Sequence, residues 1–189
     1  MLEGAHRTPV SPGLYNPKQT PTKASATMTG SDLAKMYEFS YGAVNRNVEG
    51  VTEEESLVKP QLAGNCLNWV LGHIVVYRGT ILTLVGEVPV CTEAQAVPYR
   101  RGSSPSASDT LLDMATLRGY FADSQQRLIP ALAALSDEAL ARPVPDQHKR
   151  PPLTGSIGEA LIRLHYHEGY HNGQIGLLRR IAGKDGAIK

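Results

Sequence analysis

Apolar residues recur at helical spacing in four separate segments of this sequence, and no segment alternates between apolar and polar residues. This spacing limits the fold more than any other feature, because a strand with one exposed face needs a period of two. The four segments are predicted to be helices at about 31–47, 65–86, 108–130 and 156–181. Four long helices with little else predict an all-α four-helix bundle.

The ends of the predicted helices follow from capping residues and proline. Asn65 is a candidate N-cap for the second helix, and Ser156 with Glu159 has the spacing of a capping box that opens the fourth. The third helix is predicted to begin near Ser108. Pro130 is expected to kink or end it, because proline lacks the N–H that an interior helical residue donates.

The chain is predicted to divide into a tail and one domain. Residues 1–28 are rich in proline, threonine, serine and lysine, with too few apolar side chains to offset the entropy lost on ordering. We therefore predict a disordered or extended tail at 1–28 and a bundle at 29–189. The link at 87–107, between the second and third helices, is long enough for these helices to lie parallel. The second and fourth helices can then run antiparallel and face each other.

The composition argues against several classes of partner. The formal net charge is +1, and the sequence has no basic stripe of the kind that nucleic-acid binding requires. The apolar segment 69–86 approaches the length of a membrane span, but it holds His73 and Arg78, which would be costly in lipid. A buried bundle helix explains it better. No signal-peptide-like run opens the chain, so we expect a cytoplasmic protein in which Cys66 and Cys91 are reduced.

The segment HEGYHNGQ holds two histidines, His167 and His171, four residues apart on the predicted fourth helix. They lie roughly 40° apart on one helical face, so their imidazoles can share one metal ion. The HExxH spacing is also that of zinc proteases. The protease interpretation fails, because no glutamate follows Glu168 and because Gln174 and Leu177 occupy the glycine and third-histidine positions of the longer protease motif.

A third ligand would have to come from elsewhere in the chain, and His73 on the apolar second helix is the remaining candidate. His6 lies in the tail, His148 follows prolines in a loop, and His165 points away from the face of the histidine pair. Burial disfavours the charged form of an imidazole, and the neutral form is the one that binds a metal. Three histidines placed in this way would cap one face of an ion and leave its other positions open.

The runs GHIVVYR on the second helix and HEGYHNGQ on the fourth resemble the DinB/YfiT-like superfamily of metal-binding four-helix bundles. The family is marked by one histidine on the second helix and an H-x3-H-x-G-Q run on the fourth, and the similarity covers about 29–181. The resemblance implies that His73, His167 and His171 are the metal ligands. It also implies an up-down-down-up bundle with a crossover between the second and third helices, and frequent homodimers.

Four further residues near the histidines are assigned roles other than binding the metal. Gln174 lies on the ligand face and is expected to brace a ligand by a hydrogen bond. Gly173 is expected to allow close helix packing. Trp69 is interpreted as a core residue that could also wall the site. Glu168 is a general-base candidate only by analogy with zinc proteases, and a surface or interhelical role is favoured.

An ion held by three histidines with open positions lowers the pKa of bound water or thiol. The resemblance implies two reactions of this type, metal-dependent hydrolysis and thiol transfer. We therefore predict a hydrolase or thiol S-transferase that acts on a small-molecule substrate, with a low-molecular-weight thiol as one candidate. The alternative is a non-catalytic metal-binding bundle in stress response. Zinc is the first choice of metal on availability, with nickel and iron(II) as alternatives.

Overall fold

A computed structural model describes residues 28–61, 63–103, 111–146 and 153–188. Within these ranges the chain forms helices and no strand, and an isolated β-bridge joins Pro143 to Ser156. A 3-10 turn, Val97–Tyr99, follows the fourth helix. The helices are α1 (Gly30–Val48), α2 (Glu53–Ser56), α3 (Leu67–Leu84), α4 (Glu93–Ala96), α5 (Met114–Ala133), α6 (Asp137–Ala141) and α7 (Ile157–Ile181).

The four long helices, α1, α3, α5 and α7, pack together as a bundle. Helices α1 and α3 each pack against both α5 and α7, so α1 and α3 lie on one diagonal of the bundle and α5 and α7 on the other. The predicted all-α fold is confirmed. Among the described helices, none combines the length and the apolar character needed to cross a bilayer.

Contacts near the helix ends give the relative directions of the helices that carry the candidate site. Near the start of α3, Trp69 belongs to the same apolar cluster as Leu178 near the end of α7. Near the end of α3, Leu82 clusters with Leu161 near the start of α7. Helices α3 and α7 therefore face each other and run antiparallel, which brings their middles together.

Helices α1 and α5 complete the bundle around this pair. The Tyr37 hydroxyl of α1 donates to the carbonyl oxygen of Leu161 at 2.9 Å, and Asn47 further along α1 donates to the side chain of Asn172 at 2.8 Å, so α1 runs parallel to α7. Asn68 of α3 donates to the carbonyl oxygen of Leu112, just before α5, at 2.8 Å. The starts of α3 and α5 therefore lie at the same end of the bundle.

The capping box predicted at the start of α7 is present. The Ser156 hydroxyl accepts from the backbone N–H of Glu159 at 3.2 Å, and the Glu159 carboxylate accepts from the N–H of Ser156 at 2.9 Å. Asn65, by contrast, does not cap α3. Cys66 occupies that position and makes no side-chain capping bond. Cys66 and Leu67 are each only 1% exposed, so packing rather than a polar cap fixes the start of this helix.

The predicted start of the third long helix was wrong, and of the two effects expected of Pro130, a kink or an end, the end is excluded. Helix α5 begins at Met114, not near Ser108, and Asp113 caps it by accepting from the N–H of Thr116 at 2.6 Å. Pro130 does not end α5, which continues to Ala133. A proline so close to the C-terminus removes one backbone hydrogen bond and leaves little helix beyond it to be redirected.

Some sequence predictions fall on residues whose structure is not described. The predicted tail at 1–28 lies outside the described residues except for Met28, so it stays a prediction. The two cysteines do lie within the described residues, where Cys66 is buried, Cys91 is half-buried and both carry free thiols.

Candidate metal centre

Three imidazoles meet where the middles of α3 and α7 face each other. His73 comes from α3, and His167 and His171 come from successive turns of α7. The Nε2 atom of His167 lies 3.3 Å from Nε2 of His73 and 3.1 Å from Nε2 of His171. One nitrogen from each of the three rings lies within 4.8 Å of the others. The structure thus brings together the three histidines named from the sequence.

Hydrogen bonds to the outer ring nitrogens fix which way two of these imidazoles present their lone pairs. His73 Nδ1 lies 2.5 Å from the carbonyl oxygen of Tyr99, and His171 Nδ1 lies 2.7 Å from Oε1 of Gln174. Both oxygens can only accept, so both Nδ1 atoms carry the proton and donate. In the neutral rings, the Nε2 atoms of His73 and His171 then hold lone pairs.

The donor set fits a divalent metal ion. Two Nε2 lone pairs, from His73 and His171, point toward Nε2 of His167, which has at most one proton to donate. One proton cannot be shared among three converging nitrogens, whereas a single cation can bind a lone pair from each of them. Nitrogens about 2.1 Å from a tetrahedral ion stand roughly 3.4 Å apart, close to the observed Nε2–Nε2 distances of 3.1 and 3.3 Å.

The electrostatic environment keeps these imidazoles in the metal-binding form. Burial lowers the pKa of His73 to about 4, although the hydrogen bond that its Nδ1 donates to the Tyr99 carbonyl opposes the shift. Burial, together with the neighbouring His171 and His73, lowers the pKa of His167 to about 3. Burial also lowers the pKa of His171, partly offset by its bond to Gln174. All three rings are therefore neutral near pH 7, as ligation requires.

Aromatic rings form the walls of the site. The Trp69 indole stacks on the His73 ring with centroids 4.7 Å apart and planes 16° apart, and its Nε1 donates to the carbonyl oxygen of Pro98 at 2.9 Å. Tyr77, one turn beyond His73, lies 4.1 Å from the His167 ring, centroid to centroid. Trp69 therefore packs in the core and walls the site at the same time.

Sequence reasoning missed Tyr99 and the glycine that makes room for it. A side chain at Gly72 would place its Cβ only 2.2 Å from atoms of the Tyr99 ring, so this ring can lie on α3 only where a glycine stands. The close approach brings the Tyr99 carbonyl to His73. The sequence carries a weak local signal for it, a glycine directly before the histidine of an otherwise bulky apolar helix.

Arg78 and Glu168 form a buried ion pair beside the centre. Nε of Arg78 donates to Oε2 of Glu168 and NH2 donates to Oε1, each at 2.8 Å, and both residues are nearly fully buried. The Ser40 hydroxyl also donates to Oε1. Burial by itself would raise the pKa of Glu168, but the charge and hydrogen bonds of Arg78 outweigh it, so the pKa is lowered.

This ion pair places Glu168 between helices, one of the two roles that the sequence favoured, and excludes a position on the surface. Both carboxylate oxygens already accept hydrogen bonds inside the core, which leaves Glu168 poorly placed as a general base. The sequence did not predict this role of Arg78, whose charge was weighed only as an argument against a membrane span. Arg78 also donates to Gln125 of α5 at 2.8 Å and lies 4.1 Å from the Phe121 ring centroid.

The remaining residues named from the sequence have other surroundings. The expected close packing at Gly173 is wrong, because this glycine is exposed and an added Cβ would have nothing within 4 Å. Gly176 is the glycine that faces α1, where an added Cβ would lie 3.5 Å from the Asn47 amide. His165 lies 3.1 Å from the carbonyl oxygen of Met36 and outside the cluster. The predicted non-ligands His6 and His148 lie outside the described residues.

Comparison with known proteins agrees with the fold. A crystal structure of a conserved protein from Enterococcus faecalis superposes with a TM-score of 0.64 at 18% identity, covering 84% of this chain and 100% of that one. No curated protein matches the chain significantly. The sequence model of the DinB superfamily matches residues 36–175, which include all three histidines. The chain therefore belongs to the DinB superfamily.

Proposed function

We propose that this protein is a metal-dependent enzyme in which His73, His167 and His171 hold one divalent metal ion. The observation that carries the proposal is the convergence of three imidazole nitrogens, with the outer nitrogens of His73 and His171 already held by hydrogen bonds. Zinc is the first candidate on availability, and nickel and iron(II) also suit three nitrogen ligands.

The number of ligands supports a catalytic rather than a structural ion. Structural zinc sites are closed by four protein ligands, whereas catalytic sites keep a position open. Among the described residues, no fourth histidine, cysteine or carboxylate joins the cluster. Glu168, the carboxylate next in sequence, is held by Arg78. A divalent ion with an open position would activate water or a small thiol by lowering its pKa.

The protein residues around the ion would shape the access of a substrate to it. His73 is buried under Trp69, while His167 is only half-buried, so a substrate would approach from the His167 side. Gln174 holds the His171 ring in a fixed orientation through its 2.7 Å hydrogen bond. The proposed reaction is hydrolysis or thiol S-transfer on a small molecule, with a low-molecular-weight thiol as a candidate substrate.

A second copy of the chain is proposed as the partner, docked on the outer face of α7. Its large apolar residues lie at helical spacing and are exposed, Tyr166 by 76% and Leu177 by 60%. The positions between them on this face include Gly169 and Gly173, at which an added Cβ would meet nothing within 4 Å. Between Tyr166 and Leu177 this face carries no exposed charged side chain, and such a surface can pair with itself across a two-fold axis. The exposed apolar residues are Ile162, Tyr166, Tyr170, Leu177 and Ile181.

Metal analysis of the purified, untagged protein tests the proposed ion. Wild-type protein should hold about one equivalent of a divalent metal, and His171→Ala should lose it. His165→Ala is the matched control, since this histidine lies on the same helix outside the cluster. The metal-loaded protein is then assayed with ester, amide and thiol-acceptor substrates. Metal binding with no turnover on any of them would favour the non-catalytic stress-response bundle.

A further inference from the structure

A cleft of about 590 Å³ lies between the outer face of α3 and the segment that follows it, and neither the fold nor the proposed metal ion accounts for it. Tyr77, Thr80 and Thr83 line it from α3, and Cys91 and Arg101 line it from the other side. This volume falls in the range of small-molecule sites.

The cleft adjoins the candidate metal centre through Tyr77. Tyr77 lines the cleft, and its ring also packs 4.1 Å from the His167 ring, centroid to centroid. On the opposite wall, Arg101 follows closely on Tyr99, whose carbonyl accepts from His73. The hydrogen bond that orients His73 therefore also fixes the position of the chain segment that carries Arg100 and Arg101.

The cleft carries an excess of positive charge, which favours an anionic ligand. Arg100 and Glu93 both line it, and they form an ion pair of 2.6 Å with each other. Arg101 has no ion-pair partner among the described residues, so one positive charge remains. A guanidinium presents paired N–H donors whose spacing matches a carboxylate or a phosphate.

The other polar groups in the cleft are neutral. Burial raises the pKa of the Cys91 thiol, so it is protonated near pH 7 and adds no negative charge. The hydroxyl-bearing side chains of Thr80 and Thr83 lie on the wall opposite Arg101. A ligand with one anionic end and polar uncharged atoms along its length matches this lining.

We propose that the cleft binds the carboxylate or phosphate group of a small-molecule substrate, with Arg101 as its anchor. The rest of that molecule would extend past Tyr77 toward His167. That the bound molecule is a substrate rests on the proposed function. Binding of the anion itself does not, because the cleft is built from residues that are not metal ligands.

The test is an NMR titration of metal-free, full-length protein with succinate, with inorganic phosphate and with uncharged succinamide. Succinate or phosphate should shift the amide signals of Thr80, Cys91 and Arg101, and succinamide should bind at least several-fold more weakly. Comparing the two anions identifies which group the cleft prefers. Arg101→Ala should weaken anion binding roughly five-fold, the effect expected when one partly exposed ion pair is lost.

Arg142→Ala is the matched control, because Arg142 is equally exposed and lies outside the cleft. It should bind anions as the wild type does. The proposal is overturned if neither anion binds, if the shifts map away from the cleft, or if Arg101→Ala and Arg142→Ala behave alike. Because no metal is present, failure of the proposed metal function would leave a positive result here intact, and the reverse also holds.

Discussion

The guanidinium of Arg78 and the carboxylate of Glu168 lie in the middle of the bundle, joined by two hydrogen bonds of 2.8 Å. Glu168 directly follows His167, so the ion pair fixes the position of α7 against α3 at the level of the histidines. Ser40 of α1 and Gln125 of α5 complete the polar contacts, which means that all four long helices meet here. A buried pair of this kind specifies how helices pack more than it adds net stability.

Replacing one partner of this pair should be costly. Glu168→Gln would leave the Arg78 charge buried without a counterion, and we expect the free energy of unfolding to fall by about 3 kcal/mol or more. Urea unfolding of metal-free protein measures the loss. Glu87→Gln is the control, since its ion pair with Arg127 at 3.0 Å is partly exposed to solvent and should contribute less than about 1 kcal/mol. Equal losses from the two variants would contradict this account.

The sequence revealed the parts of this protein that depend on local spacing. Helical periodicity and the four-residue spacing of His167 and His171 are local properties, and both are found in the structure. The carbonyl of Tyr99 lies 26 residues from His73, and Glu168 lies 90 residues from Arg78. Only tertiary packing brings such groups together, so no local pattern could identify them.

The start of α5 was predicted too early for a different reason. Leu111 and Leu112 continue the apolar spacing of the helix toward its N-terminus, so the pattern alone extends the helix through them. In the structure both pack against the core from non-helical chain. Burial of an apolar side chain does not require a helix, and the capping position of Asp113 decided the boundary instead.

Metal-free protein should lose stability on mild acidification because of the histidine cluster. The pKa of His73 is about 4 and that of His167 about 3 in the folded protein, against about 6.5 for an unfolded histidine. The unfolded chain therefore takes up protons first. The free energy of unfolding should fall as the pH drops below about 6.5, and the loss should continue until the folded rings protonate near pH 4 and pH 3.

Denaturant unfolding of the metal-free protein at a series of pH values between 7 and 5 measures this effect. His167→Gln is the comparison, because it removes one of the titrating rings and should lose less stability over the same range. A wild-type stability that stays level or rises across this range would contradict the burial of neutral imidazoles.

The fold should survive the loss of the metal site. Four apolar helices supply the core, so His171→Ala should keep its helicity and unfold cooperatively, as measured by circular dichroism. Its melting temperature in the presence of metal should fall, because an ion that binds only the folded state stabilises it. With a chelator present, wild type and variant should melt at nearly the same temperature. A variant that is unfolded under both conditions would indicate a structural ion.

The dimer proposal predicts a change in mass from one substitution on the outer face of α7. Leu177→Asp would place a charge within the apolar pairing surface, where its desolvation would cost several kcal/mol. The variant should be monomeric by light scattering at concentrations where the wild type is dimeric. Phe39→Asp is the control, because Phe39 is 74% exposed on α1 rather than on α7. A monomeric wild type would refute the proposed partner.

Two glycine substitutions separate the packing that orients His73 from general effects on the bundle. Gly72→Ala would press a methyl group onto the Tyr99 ring, at 2.2 Å from its nearest atoms, and displace the carbonyl that orients His73. We expect a loss of about 1–3 kcal/mol in stability from overpacking, together with weaker metal binding. Gly119→Ala, on the exposed side of α5 where an added Cβ would meet nothing within 4 Å, should gain about 0.5–1 kcal/mol and bind metal normally. Metal titration and urea unfolding on both variants decide the matter, and unchanged metal affinity in Gly72→Ala would show that the Tyr99 carbonyl is dispensable.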